Sequence, residues 1–216
     1  MAYEKLLNEI YAITVLKYFW EGYHEGYVKW ESPDWFHVGD DIGIEVSQAL
    51  MPRDGQEESF IETYLGRPKD EIPEEAKVRF GQRLYFYNNR LWALLDDGHS
   101  DISNEEKILT RFRAKLAKLN TNYRRCAANA LYLFAHAEMD EIEARAIETV
   151  LISLEEAEER RFDLVFLDCK TKLFIMDLNG DRLTAVPLPE KALAFLNEKA
   201  EAIRAVFPEG NGTPYR

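Results

Sequence analysis

Leu6, Leu7, Ile10, Ile13, Leu16 and Trp20 fall on one broad stripe at helical spacing, which predicts an amphipathic helix from Tyr3 to about Trp20, with Gly22 as its stop. Lys17 lies in that stripe near its end, where a long side chain can snorkel to water. The aromatic, irregular Tyr23 to Trp30 leaves room for one short strand. Trp35 to Val38 and Ile42 to Val46 are apolar runs on either side of Gly39-Asp40-Asp41, the pattern of a β-hairpin.

From residue 48 to 102 the pattern is broken. Short helices are expected over Glu57–Leu65 and Pro73–Phe80, and a hairpin over Leu84–Tyr87 and Leu91–Leu94 turning at Asn88-Asn89. This stretch reads as an insertion. Ser103 and Glu106 then have capping-box spacing and open a helix to about Asn120, with Ile108, Phe112, Leu116 and Leu119 on its stripe and Tyr123 continuing it. Ala130 to Ala137 is a continuous apolar run of strand length, as found where both sheet faces are covered, with His136 near its end.

A long acidic helix is expected from Glu141 to about Arg160, with Ile142, Ala146, Ile147, Val150, Leu151 and Leu154 inward and its charged face solvated. Strands follow at Phe162–Leu167, Leu173–Leu178 and Leu183–Val186. Asp177-Leu178-Asn179-Gly180-Asp181 reads as a hairpin turn, since the other ligands of a calcium loop are absent. A last helix over Glu190–Val206 packs through Leu193, Leu196 and Ala200, and 209–216 form a flexible tail. The order of elements predicts one α/β domain over 1–208, a mixed sheet flanked by helices with an insertion at about 48–102.

Composition narrows the function. The 216 residues are 46% hydrophobic, ample for a core, and no run approaches the ~18 apolar residues of a membrane span. The first residues lack the order of a signal peptide, so a cytoplasmic protein without a membrane partner is expected. Cys126 and Cys169 have no CxxC spacing and read as free or buried thiols. The net charge of -12 disfavours a nucleic-acid partner held mainly through its backbone. The charge is uneven, because Lys107, Arg111, Arg113, Lys115, Lys118, Arg124 and Arg125 make the segment from Glu105 to Arg125 net positive. A homodimer is compatible with the composition.

The chemistry gathers at the hairpin. Asp34 and Glu45 interrupt otherwise apolar β-like runs, and a carboxylate buried there is costly unless paired, protonated or metal-bound. Register decides whether they meet. If Trp35 pairs with Ile44, Asp34 lies opposite Glu45 with Cβ atoms about 5 Å apart; pairing Trp35 with Val46 makes them diagonal neighbours, and pairing Trp35 with Glu45 sends them to opposite faces. Lys115 lies on the apolar stripe of its helix, where either a snorkelling lysine or a site lysine would stand.

Glu31-Ser32-Pro33-Asp34 followed by Ile42-Gly43-Ile44-Glu45-Val46 resembles the signature of the PD-(D/E)XK, restriction-endonuclease-like superfamily. The resemblance implies that fold, a Mg²⁺ or Mn²⁺ cofactor held by Asp34 and Glu45 with the Val46 carbonyl, and hydrolysis of nucleic-acid phosphodiester bonds. It departs at the third position, where Ser47 stands for the motif's lysine with Gln48 beside it. Some members of the superfamily recruit that lysine from the helix after the meander, which here implies Lys115. Glu31, Ser47 and Gln48 would then border the metal ligands, and Arg111, Arg113 and Lys118 would touch phosphates. The alternative expectation is a catalytically inactive nuclease-fold protein that acts as a binding or assembly module.

Overall fold

A computed structural model describes residues 2–49, 57, 60, 63–64, 66–87, 89–94, 102–135, 137–169, 171–189, 194, 196, 198–199 and 202. In chain order its principal elements are α1 (Ala2–Phe19), β1 (Tyr27–Lys29), β2 (Trp35–His37), β3 (Ile42–Gln48), α2 (Glu74–Phe80), β4 (Leu84–Tyr87), β5 (Arg90–Leu94), α3 (Asn104–Thr121), β6 (Ala128–Phe134), α4 (Glu141–Glu155), β7 (Leu164–Cys169), β8 (Lys172–Asp177) and β9 (Arg182–Pro187). The chain divides into two units, 1–49 with 108–216, and 50–107.

The larger unit holds a sheet of seven strands in the order β1-β2-β3-β6-β7-β8-β9. β1, β2 and β3 form an antiparallel meander, β6 runs parallel to β3 and β7 to β6, and β8 and β9 return antiparallel. The sheet is therefore mixed and flanked by helices. Alternation along the central strands feeds two cores. Ile44, Val46, Ala130, Tyr132 and Phe166 pack with Ile10, Ile13 and Leu16 of α1. Leu131, Leu133, Val165 and Leu167 pack with Ile108, Phe112, Leu116 and Leu119 of α3 and with Ala144, Ile147 and Leu151 of α4. That double covering explains the unbroken apolar runs of β6 and β7. Among the described residues no helix is long and apolar enough to cross a membrane.

In the smaller unit Phe60, Ile72, Phe80 and Leu91 form a separate cluster, and β4 and β5 pair with a bulge between Tyr85 and Phe86. Asn89 takes a φ of 59° at the turn, as an asparagine tolerates. The expected helices over 57–65 and 190–206 lie largely outside the described residues, and His136, Asn88 and the 209–216 tail lie wholly outside them.

The acidic helix needs correction in length and facing. α4 ends at Glu155, not near Arg160, although Glu156 to Arg161 are good helix formers. Tertiary partners override propensity there. The Arg160 guanidinium donates to the carbonyls of Leu119, Tyr123 and Arg124, closing the C-terminal end of α3, and its amide donates to Asn120 Oδ1. The buried stripe of α4 is Ala144, Ile147, Glu148, Leu151 and Glu155, while Ile142 is 81% exposed. Two of its glutamates are thus buried and not solvated. Glu148 is held by Arg145 at 2.5 Å, and Glu155 accepts the Phe162 amide at 2.7 Å.

Candidate functional site

The site forms where the meander meets α1 and α3. β2 and β3 pair Trp35 with Ile44, Phe36 with Gly43 and His37 with Ile42, the register that brings Asp34 opposite Glu45. Gly43 permits the close approach before β2, since a Cβ there would stand 2.6 Å from Pro33 Cγ and 3.0 Å from Cys126 Sγ. Pro33 can therefore lie on β3, and Asp34 follows it into the interior, only 1% exposed. β3 outruns β2 at this end, and Asp34 Oδ2 accepts the Val46 amide at 2.8 Å in place of a ladder carbonyl.

Two ion pairs converge here from opposite faces of the sheet. From the α3 side, Lys115 Nζ lies 2.5 Å from Glu45 Oε1, with both side chains almost wholly buried. The second Glu45 oxygen and the Tyr123 hydroxyl are buried and make no hydrogen bond, although the phenol stands close to the carboxylate. From the α1 side, Lys29 Nζ lies 2.8 Å from Glu9 Oε2 and 3.7 Å from Asp34 Oδ1. The same ammonium donates to the carbonyls of Trp30 at 3.0 Å and Asp34 at 3.1 Å. The Trp35 indole donates to the Glu9 carbonyl at 2.9 Å and fixes α1 against β2.

Asp34 joins the two pairs electrostatically. Burial, then the nearby Asp34 charge, push the Glu9 carboxyl up to about 7 against the opposing pull of Lys29. Burial and Asp34 likewise raise Glu45, with Lys115 working the other way. Burial, followed by the Glu45 charge, raises the Tyr123 phenol. Three acids and two ammoniums leave this interior cluster one negative charge in excess when all are ionised, an excess that either a proton on Glu9, raised to about 7, or a further cation removes.

The residues singled out in the sequence fare differently. Asp34, Glu45, Val46 and Lys115 are brought together. Ser47 shares the Glu45 face and is half-buried, Gln48 turns to the other face, and Glu31 is exposed on a bend. Arg111 and Lys118 stand one turn either side of Lys115 on the same flank of α3, whereas Arg113, about 160° round the helix, stands on another. Lys17 is half-exposed and pairs with Glu25 at 2.6 Å, outside the cluster. Glu9, Lys29 and the polar role of Tyr123 were not foreseen. Glu9 had a signal, because it lies on the α1 stripe between Leu6 and Ile13, where a buried acid should draw attention as Lys115 does.

A hard divalent cation fits this donor set in part. Glu45 Oε2 is a buried oxygen without a hydrogen bond, and it stands across the strand pair from a second carboxylate. Among the described residues, however, no group of three or more His, Cys, Asp or Glu side chains is arranged to hold a metal ion. Two carboxylates, completed by a main-chain oxygen and water, are nonetheless a usual protein share of a Mg²⁺ shell.

Comparison with protein-family models, with curated proteins and with solved structures finds no match to this chain. The fold and the site define a mixed α/β protein, its sheet flanked by helices, with a buried carboxylate–lysine cluster at the end of its meander.

Proposed function

We propose that the chain is a metal-dependent phosphodiesterase acting on nucleic acid, of the PD-(D/E)XK type, with the site lysine supplied by α3. The observation that carries this is the 2.5 Å contact of Lys115 with Glu45, in a register that sets Asp34 opposite Glu45. Lys115, 70 residues downstream of Glu45, would take the part of the lysine missing from β3 at Ser47. The order of helix, three-stranded meander, helix and parallel strand is also the one expected of that superfamily.

Asp34 and Glu45 would hold Mg²⁺ or Mn²⁺, with the Val46 carbonyl as a third ligand. The cation, when bound, neutralises charge on a phosphate and lowers the pKa of an attacking water. Lys115 holds the Glu45 carboxylate in place and keeps a positive charge beside the scissile phosphate. Arg111 and Lys118 extend positive charge along the same flank of α3. The burial of Asp34 and Glu45 excludes bulk water, which strengthens every charge interaction at the site.

The test is cleavage of single- and double-stranded DNA and RNA with Mg²⁺ or Mn²⁺. Asp34→Ala and Glu45→Ala each abolish it if the reading holds; activity intact in both overturns it. The second reading, a nuclease fold without catalysis that binds or assembles, is favoured by one observation. Lysines already stand against Glu45, Asp34 and Glu9. It requires no cleavage with any metal and no heat of divalent-cation binding in calorimetry.

A further inference from the structure

The two lysines of the cluster are held differently. Lys115 meets a single carboxylate oxygen of Glu45. Lys29 Nζ is enclosed by four oxygens: Glu9 Oε2 at 2.8 Å, the carbonyls of Trp30 and Asp34 at 3.0 and 3.1 Å, and Asp34 Oδ1 at 3.7 Å. An ammonium has three protons to donate, so one of the four is served by charge alone. Carboxylate and main-chain carbonyl oxygens are also the donors that a hard divalent cation takes. Lys29 thus sits among oxygens suited to a metal. Its side chain is 23% exposed and comes from β1, a strand of three residues at the end of the sheet, so a path to solvent lies beside it.

We propose that Lys29 is a resident counter-ion that a divalent cation must displace to reach Asp34, so that this lysine sets the metal affinity of the site. The proposal rests on the reading that the site takes such a cation. With Lys29 in place, three carboxylates face two ammoniums; without it they face one, and attraction for a dication rises. A lysine that merely bolted β1 to α1 would cost stability on removal without tightening metal binding. A lysine that helped assemble the metal shell would loosen binding on removal.

The experiment measures Mn²⁺ binding by electron paramagnetic resonance at fixed ionic strength on the full chain, for wild type, Lys29→Met and Lys29→Arg. Lys29→Met is expected to bind Mn²⁺ at least tenfold more tightly, and Lys29→Arg within threefold of wild type. Unchanged or weaker binding by Lys29→Met overturns the proposal. Because that variant strips two buried carboxylates of their counter-ion and can unfold the chain, wild type is also labelled with acetic anhydride and analysed by mass spectrometry. Lys29 labelling should rise severalfold with Mn²⁺ while Lys17 labelling stays constant, and no rise at Lys29 overturns the proposal. The two readings fail separately. Tighter binding by Lys29→Met with no cleavage by wild type sinks the nuclease and keeps the displacement, whereas wild-type cleavage with unaltered Mn²⁺ binding by Lys29→Met does the reverse.

Discussion

Lys115 and Glu45 are almost wholly buried, so their pairing has consequences that a surface ion pair would not have. Removing one partner leaves the other charge without compensation inside the protein, at a cost of about 3–5 kcal/mol. Lys115→Met should therefore lower the urea midpoint by that amount of stability, and the double variant Glu45→Gln/Lys115→Met should recover most of it. A Lys115→Met variant as stable as wild type would show that the pair is solvated. Activity should separate from stability. Under the proposed function Lys115→Met lowers kcat by a factor of about 100 or more, the usual cost of deleting one group that stabilises transition-state charge. Lys115→Arg should keep the fold and lose most of that factor's worth of activity, since a planar fork cannot reproduce a point charge in this geometry.

At the scale of elements, the meander places the site and Gly43 allows it. A Cβ at 43 meets Pro33 at 2.6 Å, and Pro33 is bonded to Asp34, so Gly43→Ala must push the aspartate from its seat under Val46. Overpacking of this kind costs about 1–3 kcal/mol. The variant should show a lowered denaturation midpoint together with lost cleavage, while the nearby Cys126→Ala should show neither. Asp34 and Glu45 stood out in the sequence because an acid within a short apolar run is costly to bury, but three registers were left open, and the pairing of Trp35 with Ile44 is visible only in the folded sheet. Lys115 was legible by its place on a stripe. Lys29 was not, because three residues of β1 carry too little periodicity to assign a face, and its partners arise only when α1 packs on the sheet. On α4, helical spacing alone could not reveal that Glu148 and Glu155 would replace apolar residues on the inner face, since their partners come from Arg145 and from the Phe162 amide.

Glu155 gives that helix a measurable pH dependence. Burial, only partly opposed by the Phe162 amide and the Arg161 charge, pushes its carboxyl up from 4.5 to about 7. A carboxyl whose pKa is higher in the folded chain than in the unfolded one favours folding below the unfolded value, and that contribution fades as pH rises through about 7. Stability from this group is thus greater at pH 5 than at pH 8. Glu155→Gln keeps the acceptor for Phe162 and removes the titration, so its stability profile should be flatter than wild type between about 4.5 and 7. Parallel profiles in chemical denaturation would place the pH dependence elsewhere.

Over the whole molecule, charge decides how a nucleic acid could be held. The net charge is -12, yet the segment from Glu105 to Arg125 carries seven cations against two acids. Most of the surface therefore repels phosphate, and any backbone contact must concentrate on α3 and the chain just after it. Arg111 and Lys118 flank Lys115 there, and Arg124 lies over the rings of Phe36 and Trp30 with its amide donating to the Ser32 carbonyl. With so few phosphates neutralised, log Kobs against log salt should have a shallow slope of about -2 to -3. Lys118→Ala should reduce that slope by about one contact, and Arg113→Ala, on another flank, should leave it unaltered. A steep slope, or equal effects of the two substitutions, would mean that the substrate crosses a different surface from the one that leads to Asp34 and Glu45.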